Sequence, residues 1–211
     1  LIKQKQEFLA VQFQYLTIQS HLTGNYNFSN ISCAIAIGTH FGIDAKTIQH
    51  GIEQYIPSNH RSQIINKEHY KIVMDAYNAN PSSMEAALNN FAKFDGTKTI
   101  IIGDMFELGD ESEAEHQDIV ELAEKLNFDH IFILGHHFKT TKTNHPHVMK
   151  FDDRISFEHY IKNHALTTQN ILIKGSHGRI SVPSEFCPVI ITNNSLSKRI
   201  FPTDVYQIIW D

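Results

Sequence analysis

The chain has 211 residues, of which 41% are hydrophobic and 19% charged, with a formal net charge of -5. This describes a soluble globular protein with a real core. The negative balance argues against nucleic acid as the main partner, which calls for a clustered basic face, and no apolar run approaches the ~20 residues that cross a bilayer, so no membrane partner is expected. Two cysteines, Cys33 and Cys187, lie far apart without metal-ligand spacing, the pattern of a reduced cytoplasmic protein. The opening Leu1-Ile2-Lys3 has neither an initiator methionine nor a signal-peptide pattern, so the sequence reads as a piece of something longer.

Phe8, Val11, Phe13, Tyr15 and Ile18 nearly alternate with polar residues, which predicts strands in 8–23. From Asn27 to Gly38 the period becomes helical, with Ile31, Ala34, Ile35 and Gly38 on one face. Gly42 ends that helix, Asp44 caps a second, and Ile48, Ile52 and Tyr55 continue the stripe up to Pro57. Residues 1–57 are too little for a domain and look like the end of one.

After residue 58 strands and helices alternate. Ser62–Asn66 and Tyr70–Ala76 predict a hairpin turning at Lys67-Glu68. A helix at 81–94 leads to the strand Thr99–Ile102, and a helix at 111–126 leads to Ile131–Leu134. After His147–Phe151 and a helix at 153–164 comes Ile171-Leu172-Ile173. This alternation predicts an α/β fold with a doubly wound sheet and right-handed crossovers. Four strand ends, Asp75, Asp104, Gly135 and Lys174, then share the edge where open α/β sheets bind ligands. From residue 178 the regularity stops, and 178–211 is atypical, with Pro183, Pro188 and Pro202 and no clear helix.

At the first of these ends stands Asp75-Ala76-Tyr77-Asn78-Ala79-Asn80-Pro81. Asn80 is placed to cap the next helix and Pro81 suits its first turn. Met84, Ala87, Leu88, Phe91 and Ala92 then recur on one face. By chemistry alone the segment is either a capped turn or one wall of a ligand crevice. The fourteen histidines are densest at His136-His137 and His145-Pro146-His147. They lie in a predicted loop with no carboxylate at ligand spacing, so no metal site is expected there.

Five segments follow one another in order: Gly24-Asn25-Tyr26-Asn27-Phe28-Ser29-Asn30, Asn59-His60-Arg61-Ser62, Asp75 to Pro81, Gly103-Asp104-Met105-Phe106-Glu107-Leu108-Gly109 with His116, and Ile173-Lys174-Gly175-Ser176. Together they resemble the Mur ligases, over residues 8 to 177. The long third and fourth runs, D-A-Y-N-A-N-P and G-D-M-x-E-L-G, resemble the members that join D-alanyl-D-alanine to UDP-N-acetylmuramoyl-tripeptide. The resemblance implies a bacterial cytoplasmic ligase of peptidoglycan synthesis, dependent on ATP and Mg2+. A tripeptide carboxyl becomes an acyl phosphate, the dipeptide amine attacks it, and phosphate leaves. Residues 1–57 would end the ATP-binding central domain, and 58–211 would form the Rossmann-like C-terminal domain.

Carried over by position, the resemblance places Asn27 and Asn30 at the adenine end of ATP and Arg61 at its phosphates. Asp75 falls near the ribose hydroxyls, which a carboxylate can accept, with Asn78 beside it. It puts Asn80, His116, Lys174 and Ser176 near the second substrate. For Asn27 the competing role is helix capping, and for Lys174 it is a solvated lysine at a strand end. Two departures stand out. Tyr26 occupies a place where the family often has histidine, and Lys174-Gly175-Ser176 runs into His177-Gly178-Arg179-Ile180 rather than toward a Met-Glu-bearing helix. No G-x-x-x-x-G-K-[ST] loop occurs in the 211 residues. The family's phosphate loop, most Mg2+ ligands and the sugar-nucleotide domain would lie outside this chain, so the chain alone is expected to be inactive. Two alternatives are a non-catalytic nucleotide- or dipeptide-binding module and a sibling ligase such as a folylpolyglutamate synthetase. The G-D-M-F-E-L-G run argues against the latter.

Overall fold

The computed structural model describes residues 8–58, 62–164 and 167–176. The chain divides into two compact units, residues 1–63 and residues 64–211.

In the first unit, strands β1 (Ala10–Phe13) and β2 (Leu16–Gln19) form an antiparallel hairpin. Gln14 in its turn takes a positive φ of 52°. Helices α1 (Phe28–His40) and α2 (Ala45–Gln54) follow. Val11, Ile18, Ile31, Ile35 and Ile48 close one small core. The predicted α1 face is only partly right: Ile31, Ile35 and Gly38 are buried, whereas Ala34 is exposed. Tyr55, expected to extend the stripe, stands at the end of α2 and is half exposed. Asp44 caps α2 as predicted, its Oδ1 accepting from the amides of Lys46 at 3.0 Å and Thr47 at 3.1 Å.

The second unit holds six strands: β3 (Gln63–Asn66), β4 (Lys71–Asp75), β5 (Lys98–Gly103), β6 (His130–Leu134), β7 (Val148–Phe151) and β8 (Asn170–Lys174). Their spatial order is β3-β4-β8-β5-β6-β7. The β3–β4 connection is closed by the Lys67 amide donating to the Tyr70 carbonyl at 2.9 Å. From β4 to β7 all pairings are parallel. The last strand therefore inserts between the first parallel strand and β5, which makes the switch point of the sheet lie beside β8.

Alternation along the strands sorts side chains onto two faces. Val73, Ile100, Ile102, Ile131, Ile133 and Leu172 face helices α3 (Pro81–Phe91) and α4 (Ser112–Lys125), meeting Met84, Leu88, Phe91, Ile119, Val120 and Ala123. Met84, Leu88 and Phe91 are each at most 1% exposed, worth about 1.5–3 kcal/mol apiece. On the opposite face Phe132 and Leu134 meet Phe157 and Ile161 of α6 (Arg154–Asn163). His136 and His137, expected in a loop, instead belong to a one-turn helix, α5 (His136–Lys139). The side-chain carboxylate of Asp104 supplies its start.

Candidate functional site

The parallel strands bring their carboxyl ends to one edge, and β4 and β8 meet there in register, Asp75 opposite Lys174. Lys174 is 1% exposed. Its Nζ donates to Asp75 Oδ2 at 2.8 Å, to the Asn78 carbonyl at 3.2 Å and to the Asp75 carbonyl at 3.5 Å. An ammonium has three protons, and all three are directed into the turn after β4. The view of Lys174 as a solvated lysine is therefore corrected. It is buried because β8 is a central strand, and it acts on Asp75 rather than on solvent.

Ser176 is also buried, at 4% exposure. Its Oγ accepts from the Ala79 amide at 3.2 Å and can donate to the Ala79 carbonyl at 3.3 Å, while its amide donates to the Asp104 carbonyl at 3.4 Å. It stitches the ends of β4, β8 and β5 together. Asn78 is exposed beside Asp75, its Oδ1 accepting from the Ala79 amide at 2.9 Å. Asn80 is exposed too, but its Oδ1 accepts from the Ser83 amide at 2.9 Å and its own amide donates to Ser83 Oγ at 3.1 Å. That is a capping box, so the oxygen expected near substrate is committed to the helix. Replacing Asn80 by alanine is expected to destabilise this unit by about 1 kcal/mol, read by urea denaturation. A change below a few tenths would show that the cap contributes nothing.

The G-D-M-F-E-L-G run leaves β5 and bends through positive φ at Glu107 (67°) and Gly109 (56°). Asp104, to which the sequence assigns an edge position but no role, is 5% exposed. Its Oδ1 accepts from the amides of His137 at 3.1 Å and Phe138 at 3.2 Å, which starts α5 where no side chain of α5 itself does. The carboxylate fits because residue 135 is glycine, with φ of 128°: a Cβ there would occupy the position of the Asp104 carboxylate. The only signal for this in the sequence is an aspartate after one strand and a glycine after the next.

His116 lies behind this loop, 0% exposed. Its Nδ1 is 2.6 Å from the Ser112 carbonyl, and its Nε2 is 3.1 Å from the Met105 amide. A carbonyl only accepts and an amide only donates, so the ring is neutral with its proton on Nδ1. Burial pushes its pKa below the ordinary 6.5, against the opposing pull of the Ser112 carbonyl and Asp104. Both nitrogens are used within the unit, and His116 supports the edge from behind.

In the first unit Asn27 is buried, donating from Nδ2 to the Thr23 carbonyl at 2.7 Å and to Ser62 Oγ at 3.1 Å. It stands at the N-cap position of α1 but its side chain caps nothing, so capping is not its role. Its Oδ1 accepts from Nδ2 of the exposed Asn30 at 2.8 Å, which orients Asn30 on the helix surface. Arg61 and the atypical segment 178–211 lie outside the described residues.

The family described as Mur ligase, glutamate ligase domain, matches residues 60–177. The chain belongs to the Mur ligases. It is 28% identical over 171 residues to the UDP-N-acetylmuramoyl-tripeptide–D-alanyl-D-alanine ligase of Bacillus subtilis, covering 74% of this chain and 36% of that protein. A crystal structure of MurF from Acinetobacter baumannii superposes with a TM-score of 0.65 and 30% identity, covering 76% of this chain and 36% of that one. MurF from Thermotoga maritima in complex with ADP superposes at 0.64 and 20% identity, covering 76% of this chain and 37% of that one, a likeness of fold. This Mur ligase chain thus spans about a third of the length of the relatives it matches. Its α/β architecture with a parallel sheet is that of the C-terminal domain in these ligases.

Proposed function

We propose that this chain is the part of an ATP-dependent ligase that adds D-alanyl-D-alanine to UDP-N-acetylmuramoyl-tripeptide. The observation that carries the reading is the coincidence of the family match, residues 60–177, with the strand-end edge built by Asp75, Asn78, Asp104 and Lys174. The names of the relatives support the substrates, and the ADP complex of the Thermotoga protein supports a nucleotide.

The residues present fit the nucleoside end of that nucleotide. Asp75 offers a carboxylate whose orientation Lys174 fixes, suited to ribose hydroxyls, with the carboxamide of Asn78 beside it. Asn27 and Asn30 form an ordered carboxamide pair suited to adenine, and Arg61 would serve the phosphates. The triphosphate and Mg2+ end does not fit these residues: no glycine-rich phosphate loop is in the sequence. The ligase chemistry therefore needs portions of the protein beyond this sequence, and the 211 residues by themselves are inactive.

Calorimetric titration tests the reading. D-alanyl-D-alanine is expected to bind in preference to L-alanyl-L-alanine, while ATP, Mg2+, tripeptide and dipeptide together release no phosphate. Equal binding of the two dipeptides, or of neither, overturns the assignment of the acceptor site. Enzyme-like phosphate release overturns the claim of inactivity.

A further inference from the structure

Among the described residues of the second unit, His116 is the one ionisable ring whose two nitrogens join separate elements of the strand-end edge. Its Nδ1–H reaches back to the Ser112 carbonyl in the first turn of α4, and its Nε2 accepts from the Met105 amide in the loop after β5. Around it stand Asp104 at 4.0 Å from Nε2, His137 of α5 stacked at 5.5 Å between ring centroids, Phe138 edge-on at 4.5 Å, and Glu115 of its own helix. Ser112 Oγ lies 3.4 Å from Nδ1 of both His116 and His137.

We propose that His116 is a proton-operated latch. As the neutral Nδ1–H ring it ties the Gly103–Gly109 loop to α4, and protonation at Nε2 releases that loop. The chemistry is one of acceptor and donor. A proton on Nε2 removes the acceptor for the Met105 amide and sets two donors against each other. The nearest alternative acceptor is Asp104 Oδ1, which already accepts from the His137 and Phe138 amides. An imidazolium turning to Asp104 would draw that carboxylate from the start of α5, so loop and helix loosen together.

The sign follows from the site. In the closed form burial disfavours the charged ring, whereas an opened His116 takes up a proton below its ordinary 6.5. Opening is thus coupled to uptake of up to one proton, and as pH falls below about 6.5 the open population should rise, by at most tenfold per unit of pH and levelling off at the lowered pKa of the closed form. The inference does not depend on the ligase reading.

Amide hydrogen exchange on the whole chain tests it. The protection factor of Met105 is expected to fall as pH drops below 6.5, by up to tenfold per pH unit, with His137 and Phe138 following, while Ile102 in the preceding strand stays protected. In His116→Gln the amide oxygen can accept from Met105 without titrating, and this slope should vanish. Nitrogen-15 shifts of the wild-type ring, expected to report the proton on Nδ1, keep the test decisive should that variant not fold. The proposal is overturned by a ring protonated on Nε2 at neutral pH or by Met105 protection constant with pH. It is equally overturned by an unchanged slope in the glutamine variant, or by Met105 and Ile102 losing protection in step.

Discussion

Lys174→Met is expected to lower the stability of the second unit by about 3–5 kcal/mol, the largest effect of any polar substitution at the strand-end edge. Methionine fills nearly the same channel, so little packing is lost. What is lost is the cation: Asp75 Oδ2 loses its 2.8 Å partner, and the carbonyls of Asp75 and Asn78 lose a donor. Because Lys174 is 1% exposed, water does not easily replace it, and removing the cation of such a pair is costly. The double variant Asp75→Asn/Lys174→Met should be less destabilised than Lys174→Met alone, since it removes both charges. Urea unfolding of the four species in a double-mutant cycle measures the coupling. A loss below about 1 kcal/mol for Lys174→Met would mean that the pair behaves as an exposed one, and the positioning role would fall with it.

Gly135→Ala should cost about 3 kcal/mol, from about 1–3 kcal/mol of strain at a backbone region open to glycine and about 0.5–2 kcal/mol of lost capping. The φ of 128° is one term, and the methyl group displacing the Asp104 carboxylate from the amides of His137 and Phe138 is the other. Gly42→Ala is the control. Its φ is 72° but nothing lies within 4 Å of the added carbon, so it carries only a left-handed backbone cost of about 1–2 kcal/mol. Adding Asp104→Ala to Gly135→Ala should cost less than the sum of the two single changes, because both remove the same contacts. Equal losses for the two glycine variants in urea denaturation would show that Asp104 yields its place freely.

The adjacency of Asp75 and Lys174 shows where sequence reading stops. Each was legible as a strand end, since an apolar run closing on a polar residue is a local signal. That they touch depends on β8 entering between β4 and β5, a pairing of residues 99 apart that no local pattern encodes. The same holds for Ser176, whose partners come from the ends of two other strands. Asn80 shows the converse. Its cap was legible, because both partners lie within three residues, and the cap commits the oxygen that a substrate role would need.

By itself the sequence determined the succession of strands and helices apart from the one-turn α5, the caps of α2 and α3, and the set of residues delivered to one edge of a parallel sheet. These rest on spacing of 2 and 3.6 residues and on hydrogen bonds within a single turn. The tertiary structure alone decided which edge residues are exposed and which are bonded to one another. Burial is a property of neighbours distant in the chain: it turned Lys174 inward onto Asp75, fixed His116 as a neutral ring behind the loop, and made Gly135 the space that Asp104 occupies.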